Sequence, residues 1–194
     1  MSETQVQLSP EVTQEIDHWL TKFPADQKRS AVVAGLLKAQ EDNGGWLSEG
    51  VMQAVATYLG LAQIEVYEVA TFYSMFNLSP VGKYFIQVCT TTPCMIRGAG
   101  KLVEACKEKI SENESELLSD KNCSWMEVEC LGACVTAPMM QINDDYYEDL
   151  DKEKTLEILD KILKDEKPKP GSYRGRVNNE PENGRKTLME LKNA

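Results

Sequence analysis

The stretch KYFIQVCTTTPCMIRGAG at positions 83–100 decides how the second half of this 194-residue chain folds. Its residues 84–88 (YFIQV) are β-prone and predict a short strand that ends at Cys89. Apolar residues at helical spacing from Gly98 to Ile110 predict a helix after the strand. Cys89 and Cys94 enclose four residues, so both thiols lie in the loop between the strand and the helix.

The stretch VECLGACVTAPMMQINDDYYEDL at positions 128–150 begins with a second strand and a second cysteine loop. The predicted strand covers residues 125–128 and ends next to Cys130. Three residues separate Cys130 from Cys134, and 35 residues (95–129) separate the two cysteine pairs. Each pair is therefore expected to follow the end of a strand.

The residues that follow the second cysteine loop complete an α+β unit. Residues 139–142 and 146–150 predict a hairpin with its turn at Asn143-Asp144-Asp145. Asp151 is expected to cap a last helix, whose inward-facing residues are Leu156, Leu159, Ile162 and Leu163. The order strand, helix, strand, hairpin, helix is that of an α+β domain.

The spacing of Cys89, Cys94, Cys130 and Cys134 favours an iron–sulfur cluster among the centres that thiolates bind. Soft thiolates select iron–sulfur clusters, zinc or copper(I). Zinc ribbons and thioredoxin-type dithiols use gaps of two residues, whereas the gaps here are four and three. Plant-type ferredoxins share the first gap, but Arg97 stands where their next ligand falls. Two separated pairs supply two ligands to each iron of a two-iron cluster, and a structural zinc site is the alternative.

The residues around the four cysteines suit a negatively charged cluster. The residues Thr90-Thr91-Thr92 offer hydrogen-bond donors, and Pro93 stiffens the first loop. Gly98 lies at a helix start, where the helix dipole favours negative charge. Gly132 gives the second loop conformational freedom. A dry wall is expected from apolar residues that follow: Ala133, Val135, Ala137, Pro138 and Met139.

Other reactive side chains are assigned ordinary structural roles. Cys106 lies on the apolar face of a predicted helix and is expected in the core, and Cys123 is expected to be a spare thiol on a polar approach to the second strand. His18, the one histidine, is expected on a helix surface. Four aromatic residues are expected in the core: Tyr67, Phe72, Tyr73 and Phe76. Four acidic residues are expected in a turn and on solvated surface: Asp144, Asp145, Glu148 and Asp149.

Residues 9–76 predict a group of helices. Ser9 is expected to cap the first helix, with Pro10 in its first turn. A second helix is predicted over Asp26–Asp42, and its inward-facing residues are expected to be Val32, Val33, Leu36 and Leu37. A third helix is predicted from Ser48 to Gly60, and a fourth begins at about Ile64.

The chain therefore divides by prediction into three parts. Residues 1–80 form an N-terminal helical domain, and residues 81–165 form the α+β domain with the cysteines. Residues 166–194 hold prolines, glycines and charges with little to bury, so they are expected to form an extended C-terminal arm or tail.

Charge and composition limit the partners. The net charge is −10, with 31 acidic against 21 basic residues, and this argues against nucleic acid and anionic membrane as partners. The first residues, MSETQVQLSPEV, do not resemble a signal peptide, and no run approaches the ~18 apolar residues of a membrane helix. A cytoplasmic protein without membrane insertion is expected, and in that reducing compartment cysteines serve as metal ligands more often than as disulfides.

The two cysteine stretches, 83–100 and 128–150, resemble the thioredoxin-like two-iron ferredoxins. Within that family they are most similar to the 24-kDa-type subunits of bacterial NADH:quinone oxidoreductase, which is respiratory complex I. The resemblance continues upstream through NGGWLSEGVMQAVATYLGL (43–61) and VYEVATFYSMF (66–76), so it covers roughly residues 10–165. Ala99-Gly100 departs from the serine and acidic residue that often follow the arginine and glycine in this family.

The resemblance implies a fold, a cofactor and partners. It implies a helical N-terminal domain and a thioredoxin-like domain that holds one [2Fe-2S] cluster on Cys89, Cys94, Cys130 and Cys134. It implies docking against the subunit that binds flavin (FMN) and NADH, with the neighbouring iron–sulfur subunit as a further partner. Neither FMN nor NADH is expected to bind this chain itself. No residue is assigned a catalytic role.

The expected function is that of an electron-carrier subunit of NADH:quinone oxidoreductase, in the peripheral arm on the cytoplasmic side of a bacterial inner membrane. The cluster would exchange single electrons with the flavin of the NADH-oxidising partner. The alternative is the equivalent diaphorase subunit of an NAD-linked hydrogenase or formate dehydrogenase. A zinc-stabilised interaction domain is a third hypothesis, from a different functional class.

Overall fold

The computed structural model describes residues 6–117 and 122–177, together with residues 180, 181, 183, 184 and 187. The chain divides into two compact units, residues 1–83 and residues 84–194. Each unit has its own hydrophobic core. Within the described ranges, no helix has both the length and the apolar character that a membrane span requires.

The described part of the first unit is helical. Its α-helices are α1 (Pro10–Leu20), α2 (Val32–Asp42), α3 (Glu49–Leu59) and α4 (Gln63–Phe72), and a 3₁₀ turn (Lys28–Ala31) precedes α2. The predicted cap of α1 is confirmed, and Ser48, where the third helix is predicted to begin, caps α3. The hydroxyl of Ser9 accepts a hydrogen bond from the amide of Val12, and the hydroxyl of Ser48 accepts one from the amide of Val51.

Helix α2 differs from its prediction at its start and on one face. It begins at Val32 rather than Asp26, because residues 28–31 form the 3₁₀ turn. Its buried residues are Val32, Gly35, Leu36 and Ala39, which follow the i, i+3, i+4, i+7 spacing of a single helix face. Leu37 lies off that face and is 39% exposed, so its predicted inward position is wrong.

The prediction that four aromatic residues lie in the core is correct only for Phe76, which is buried. Phe72 is 78% exposed, and Tyr67 and Tyr73 are also exposed. Helix α4 buries Val66 and Ala70, four residues apart, and this face leaves the other aromatic rings outside the core.

The second unit is built on a five-stranded sheet, as far as the described residues show. Its strands are β1 (Tyr84–Cys89), β2 (Cys123–Val128), β3 (Met140–Ile142), β4 (Asp145–Glu148) and β5 (Gly171–Ser172), in the order β2-β1-β3-β4-β5. β1 pairs with β2 in parallel, and β3 pairs antiparallel with both β1 and β4. β4 and β5 are parallel. The α+β fold is confirmed, and β5 is a strand that the sequence pattern does not predict.

The helices of the second unit are α5 (Thr92–Ile96), α6 (Ala99–Lys109) and α7 (Lys152–Ile162). α6 packs against α7, and their apolar faces share one core with the sheet. Trp125 lies in this core with no exposed surface, and its indole N–H donates to the Ser111 carbonyl at 2.9 Å. Asp151 caps α7 as predicted, since its carboxylate accepts a hydrogen bond from the Lys154 amide at 2.9 Å.

The two remaining cysteines lie in this core rather than at the surface. Cys106, on α6, is buried as predicted. The predicted position of Cys123, as a spare thiol on a polar approach to the strand, is wrong: it is the first residue of β2 and has no exposed surface. The strand β2 begins at Cys123, two residues earlier than the sequence pattern indicates. Ser124, the polar residue that hides this start in the sequence, is buried together with Cys123.

Candidate metal centre

The sheet brings the two cysteine pairs to one edge. A parallel pair of strands needs a crossover between them, and α5 and α6 supply it here. In the parallel register Cys89, the last residue of β1, lies opposite Val128, the last residue of β2. Cys130 follows Val128 by two residues. Both loops therefore leave the carboxyl end of neighbouring strands.

The first cysteine loop (residues 89–98) places an inner pair of thiols beneath the surface. Cys89 is 2% exposed and Cys94 is 1% exposed. Thr91 and Pro93 begin the short helix α5, which turns Cys94 back towards the strand end. The sequence pattern does not predict this helix. The inner pair, Cys89 and Cys94, is consequently held by strand and helix backbone rather than by an open loop.

The second cysteine loop (residues 129–139) carries an outer pair of thiols at the surface. Cys130 and Cys134 are both exposed, and their sulfur atoms lie 3.7 Å apart. Gly132 has a φ of 82°, a backbone conformation that favours glycine, and its amide donates to the Cys130 sulfur at 3.4 Å. Cys134 begins a 3₁₀ turn that ends at Thr136. An amide directed at sulfur is the kind of contact that stabilises a thiolate.

Thiols of the inner and outer pairs raise one another's pKa values. Burial, a hydrogen bond with Cys89 and the charges of Cys89 and Cys134 together raise the pKa of Cys94 to about 12, against the opposing effect of a backbone hydrogen bond from Met139. A hydrogen bond with Cys130 raises the pKa of Cys134, and burial and the charges of Cys130 and Cys89 add to it. The raised pKa values favour the neutral thiols of Cys94 and Cys134, so a metal must displace these protons to bind.

Contacts between the loops enclose the inner pair. The Thr91 hydroxyl donates to the Glu129 carboxylate at 3.3 Å, which joins the first loop to the second. The amide of Cys89 donates to the Met139 carbonyl at 3.4 Å. A small apolar cluster surrounds the thiols, and its buried members besides Cys89 and Cys94 are Ala99, Ala137 and Met139. The predicted dry wall is confirmed in part: Ala137 and Met139 are buried in the cluster and Ala133 packs against it partly buried, whereas Val135 is 57% exposed and Ala99 is a member that the sequence does not predict.

Grouped as two pairs, the thiols fit a two-iron cluster. Within the described ranges, no three side chains of cysteine, histidine, aspartate or glutamate gather closely enough to hold one metal ion. The sulfurs instead form an inner pair and an outer pair. One pair would bind each iron, and two bridging sulfides would complete the four ligands of each metal. A single zinc ion would need all four thiolates around one point.

The family comparison agrees with this geometry. The model of the thioredoxin-like [2Fe-2S] ferredoxin family matches residues 16–163. The chain belongs to this family. Its cofactor is therefore a [2Fe-2S] cluster.

Two relatives cover most of the chain. An NADH-quinone oxidoreductase subunit of Rickettsia bellii is 52% identical over 146 residues, which are 75% of this chain and 87% of the relative. The mitochondrial NADH dehydrogenase [ubiquinone] flavoprotein 2 of Dictyostelium discoideum is 45% identical over 175 residues, which are 90% of this chain and 71% of the relative. Both matches extend well beyond the cysteine loops.

A solved structure of an NAD⁺-reducing [NiFe]-hydrogenase is similar in fold to this thioredoxin-like ferredoxin. The TM-score is 0.58 at 21% identity, and the match covers 68% of this chain but 23% of the hydrogenase chain. At this identity the likeness shows a shared fold. It carries no information about which assembly contains the chain.

Sequence reasoning misses a buried ion pair at the second cysteine loop. The prediction that Asp149 is solvated is wrong, since its carboxylate has no exposed surface and pairs with Arg176. Burial disfavours its ionisation, yet hydrogen bonds from Arg176 and Ser172 and the positive charges of Arg176 and Arg174 together outweigh burial and hold the pKa of Asp149 below its ordinary value. Burial of an acidic residue in a polar stretch leaves no periodic signal, so only the fold reveals this pair.

Proposed function

We propose that this thioredoxin-like ferredoxin is the electron-carrier subunit of an NADH:quinone oxidoreductase, or complex I, and that Cys89, Cys94, Cys130 and Cys134 hold its [2Fe-2S] cluster. The observation that carries the proposal is the convergence of an inner and an outer thiol pair at one sheet edge. The chain that carries these pairs matches the NADH-quinone oxidoreductase subunit of Rickettsia bellii over 87% of that relative's length.

The inner pair, the outer pair and Gly132 have different roles in binding the cluster. When bound, the cluster accepts and releases one electron at a time. The inner pair anchors it beneath the surface, because Cys89 and Cys94 are fixed by β1 and α5. The outer pair keeps one side of it at the surface, because Cys130 and Cys134 are exposed. The Gly132 amide directed at the Cys130 sulfur disperses negative charge at that side.

The exposed side fits a partner subunit. Met95 and Ile96, which follow the inner pair, are 61% and 75% exposed, and Val135, next to Cys134, is 57% exposed. These three exposed side chains of the two cysteine loops are called the apolar rim below, and apolar side chains at the surface are suited to burial by a partner. The proposed partner is the subunit that binds flavin and NADH, with the neighbouring iron–sulfur subunit also in contact with the chain. In a bacterial cell, the assembly places the chain in the peripheral arm on the cytoplasmic side.

Under this proposal the oxidoreductase activity belongs to the assembly, and the isolated chain only carries electrons. The high identity to complex I subunits favours complex I over an NAD-linked hydrogenase or formate dehydrogenase, since the hydrogenase likeness concerns fold alone. The grouping of the thiols into pairs favours a two-iron cluster over a zinc-stabilised interaction domain. A zinc domain would be colourless and would hold one zinc ion.

The proposal is tested by electron exchange with the partner. The chain is reduced with dithionite, the reductant is removed, and the EPR signal of the reduced cluster is followed on mixing with the oxidised flavin- and NADH-binding subunit. The expected result is loss of the signal with the partner present and persistence with NAD⁺ alone. A signal that persists in the presence of the flavin subunit contradicts electron exchange between the two.

The ligand assignment has matched controls in the same chain. Alanine in place of any one of the four cysteines in the two pairs is expected to abolish stoichiometric iron binding. Alanine in place of Cys106 or Cys123, which are buried in the core away from the cysteine loops, is expected to leave iron content unchanged. Full iron content in a Cys94→Ala variant would overturn the assignment.

A further inference from the structure

Residues 171–176, called the C-terminal segment below, lie against the second cysteine loop. β5 (Gly171–Ser172) adds a parallel strand beside β4, and the Tyr173 amide donates to the Glu148 carbonyl at 3.0 Å. The Ser172 hydroxyl donates to the Asp149 carboxylate at 2.6 Å. The sequence predicts an extended arm here, and its first part is joined to the sheet by backbone and side-chain hydrogen bonds.

Arg176, at the end of this segment, points inward. Its side chain is 9% exposed, and the Asp149 side chain that it meets has no exposed surface. Its Nε donates to Asp149 Oδ2 at 2.9 Å, and its Nη2 donates to Asp149 Oδ1. The same Nη2 donates to the Val135 carbonyl at 2.9 Å. The planar guanidinium thus joins a buried carboxylate to the backbone of the residue next to Cys134.

The backbone of Asp149 also binds the second cysteine loop, at Thr136. The Asp149 amide donates to the Thr136 carbonyl at 2.7 Å. The Thr136 hydroxyl lies 3.1 Å from the Ala133 carbonyl and 2.6 Å from the Glu148 carboxylate, so it can donate to either oxygen. The backbone on the C-terminal side of Cys134, residues 135 and 136, is therefore held by Asp149 and by the arginine that pairs with it.

We propose that Arg176 is a positioning residue for the metal centre: it clamps the Cys134 end of the second cysteine loop, and through it the C-terminal segment sets the surroundings of the outer thiol pair. This inference rests on the proposed ligand set, because it assigns Arg176 to the same centre. The effect argued for Arg176 passes through its hydrogen bonds to Val135 and Asp149.

Two consequences follow from the charges. Removing the guanidinium takes the bidentate cation from the buried Asp149 carboxylate, which keeps its hydrogen bond from Ser172, beside a centre that becomes more negative on reduction. Reduction of the cluster by one electron therefore becomes less favourable. Removing the guanidinium also frees the Val135 carbonyl, so the outer pair is held less firmly and the cluster is lost more easily.

The test compares Arg176→Gln with Lys169→Gln in the full-length chain, since Lys169 is an exposed cation on the approach to the same segment. Arg176→Gln is expected to disfavour reduction on the order of tenfold in the equilibrium constant, which is about 59 mV for one electron. The potential is measured by EPR-monitored redox titration. Iron loss to a chelator is expected to become several-fold faster, and Lys169→Gln is expected to match the unchanged chain in both measurements.

Two more variants separate charge from positioning. Asp149→Asn combined with Arg176→Gln removes both charges, so the potential is expected to return towards that of the unchanged chain while iron loss stays fast. Arg176→Lys keeps the positive charge but cannot form the paired hydrogen bonds of a guanidinium. Its reduction potential is therefore expected to be close to that of the unchanged chain, and its rate of iron loss is expected to be intermediate. If Arg176→Gln does not fold, Arg176→Lys carries the test, and iron loss equal to that of the unchanged chain overturns the proposal.

Hydrogen exchange keeps this test independent of the proposed function. The amides of Asp149 and Tyr173 report the clamp with or without iron. Faster exchange of these amides in Arg176→Gln than in Lys169→Gln is expected. If the unchanged chain binds no iron, the proposed function fails while this comparison still tests the clamp. Unchanged exchange, potential and iron retention in Arg176→Gln overturn the clamp.

Discussion

The two cysteine loops look alike in sequence but differ in how the fold holds them. Each follows a strand end and carries two cysteines a few residues apart. The first loop buries Cys89 and Cys94 between a strand and a short helix. The second loop exposes Cys130 and Cys134 on a turn whose backbone is bound by Arg176, which pairs with Asp149. Under the proposed ligand assignment, the first loop would anchor the metal centre and the second would present it to a partner.

The largest expected effect comes from exchanging sulfur for oxygen in each pair. Cys94→Ser is expected to lose the cluster, because it places a hydroxyl in the apolar wall of Ala99, Ala137 and Met139, and to lower the apoprotein's free energy of unfolding by roughly 1–3 kcal/mol. Cys130→Ser is expected to retain part of the iron, because its hydroxyl is solvated. Iron analysis and denaturant unfolding measure the two effects. Equal iron content and equal free energies of unfolding in the two variants would contradict the difference between the inner and outer pairs.

The next effect is the reactivity of the thiols in the apoprotein. Iodoacetamide is expected to modify Cys130 more than a hundredfold faster than Cys94, because only thiolates react, the Cys130 thiol is exposed, and the pKa of Cys94 is raised from 9.0 to about 12. Burial of Cys94 slows the reaction further. Mass spectrometry of peptides after timed quenching measures each site. Cys106, also buried, serves as the slow reference, and modification of Cys94 at the rate of Cys130 would contradict the comparison.

Much of this arrangement is visible in the sequence, and the remainder depends on long-range contacts. The cysteine spacing and the strand patterns place both loops correctly, because a thiol after a strand end leaves a local signal. Helix α5 has 5 residues, too few for a periodic pattern, so the sequence does not predict the burial of Cys94. The two-residue strand β5 and the pairing of Asp149 with Arg176, 27 positions away, follow from the fold and have no local signature.

The apolar rim should contribute a smaller effect, limited to partner binding. Ile96→Glu and Val135→Glu are each expected to weaken binding of the flavin- and NADH-binding subunit about tenfold, since a carboxylate replaces an apolar contact. Cluster content should stay normal because both side chains are exposed. The matched control is Ile64→Glu, which changes an apolar residue that is 60% exposed on α4. Titration calorimetry measures the binding, and equal weakening by all three variants would remove the special role of the rim.

A further effect, separate from cluster and partner binding, is the pH dependence of apoprotein stability. The pKa of Cys94 and of Cys106 is raised by burial to about 12 in the fold, against 9.0 as the ordinary value. The neutral thiol is therefore the favoured form in the fold, and the stability it contributes is fully present below pH 9 and lost as pH rises towards 12. Each thiol that ionises only in the unfolded chain lowers the free energy of unfolding by at most about 1.4 kcal/mol per pH unit.

Denaturant unfolding of the apoprotein between pH 8 and pH 11 checks this sign. Cys94→Ala and Cys106→Ala should each flatten the decline. Cys130→Ala should change it less, because the Cys130 thiol is exposed. Stability that rises with pH over this interval would show that the inner thiol is not held in its neutral form.

The most direct test of the central claim is metal and sulfide analysis of the anaerobically purified chain, combined with EPR after reduction. The two thiol pairs predict a red-brown protein with two irons and two sulfides per chain and a rhombic signal on one-electron reduction. A colourless chain with one zinc ion and no iron would contradict the account, because four thiolates would then serve a single metal.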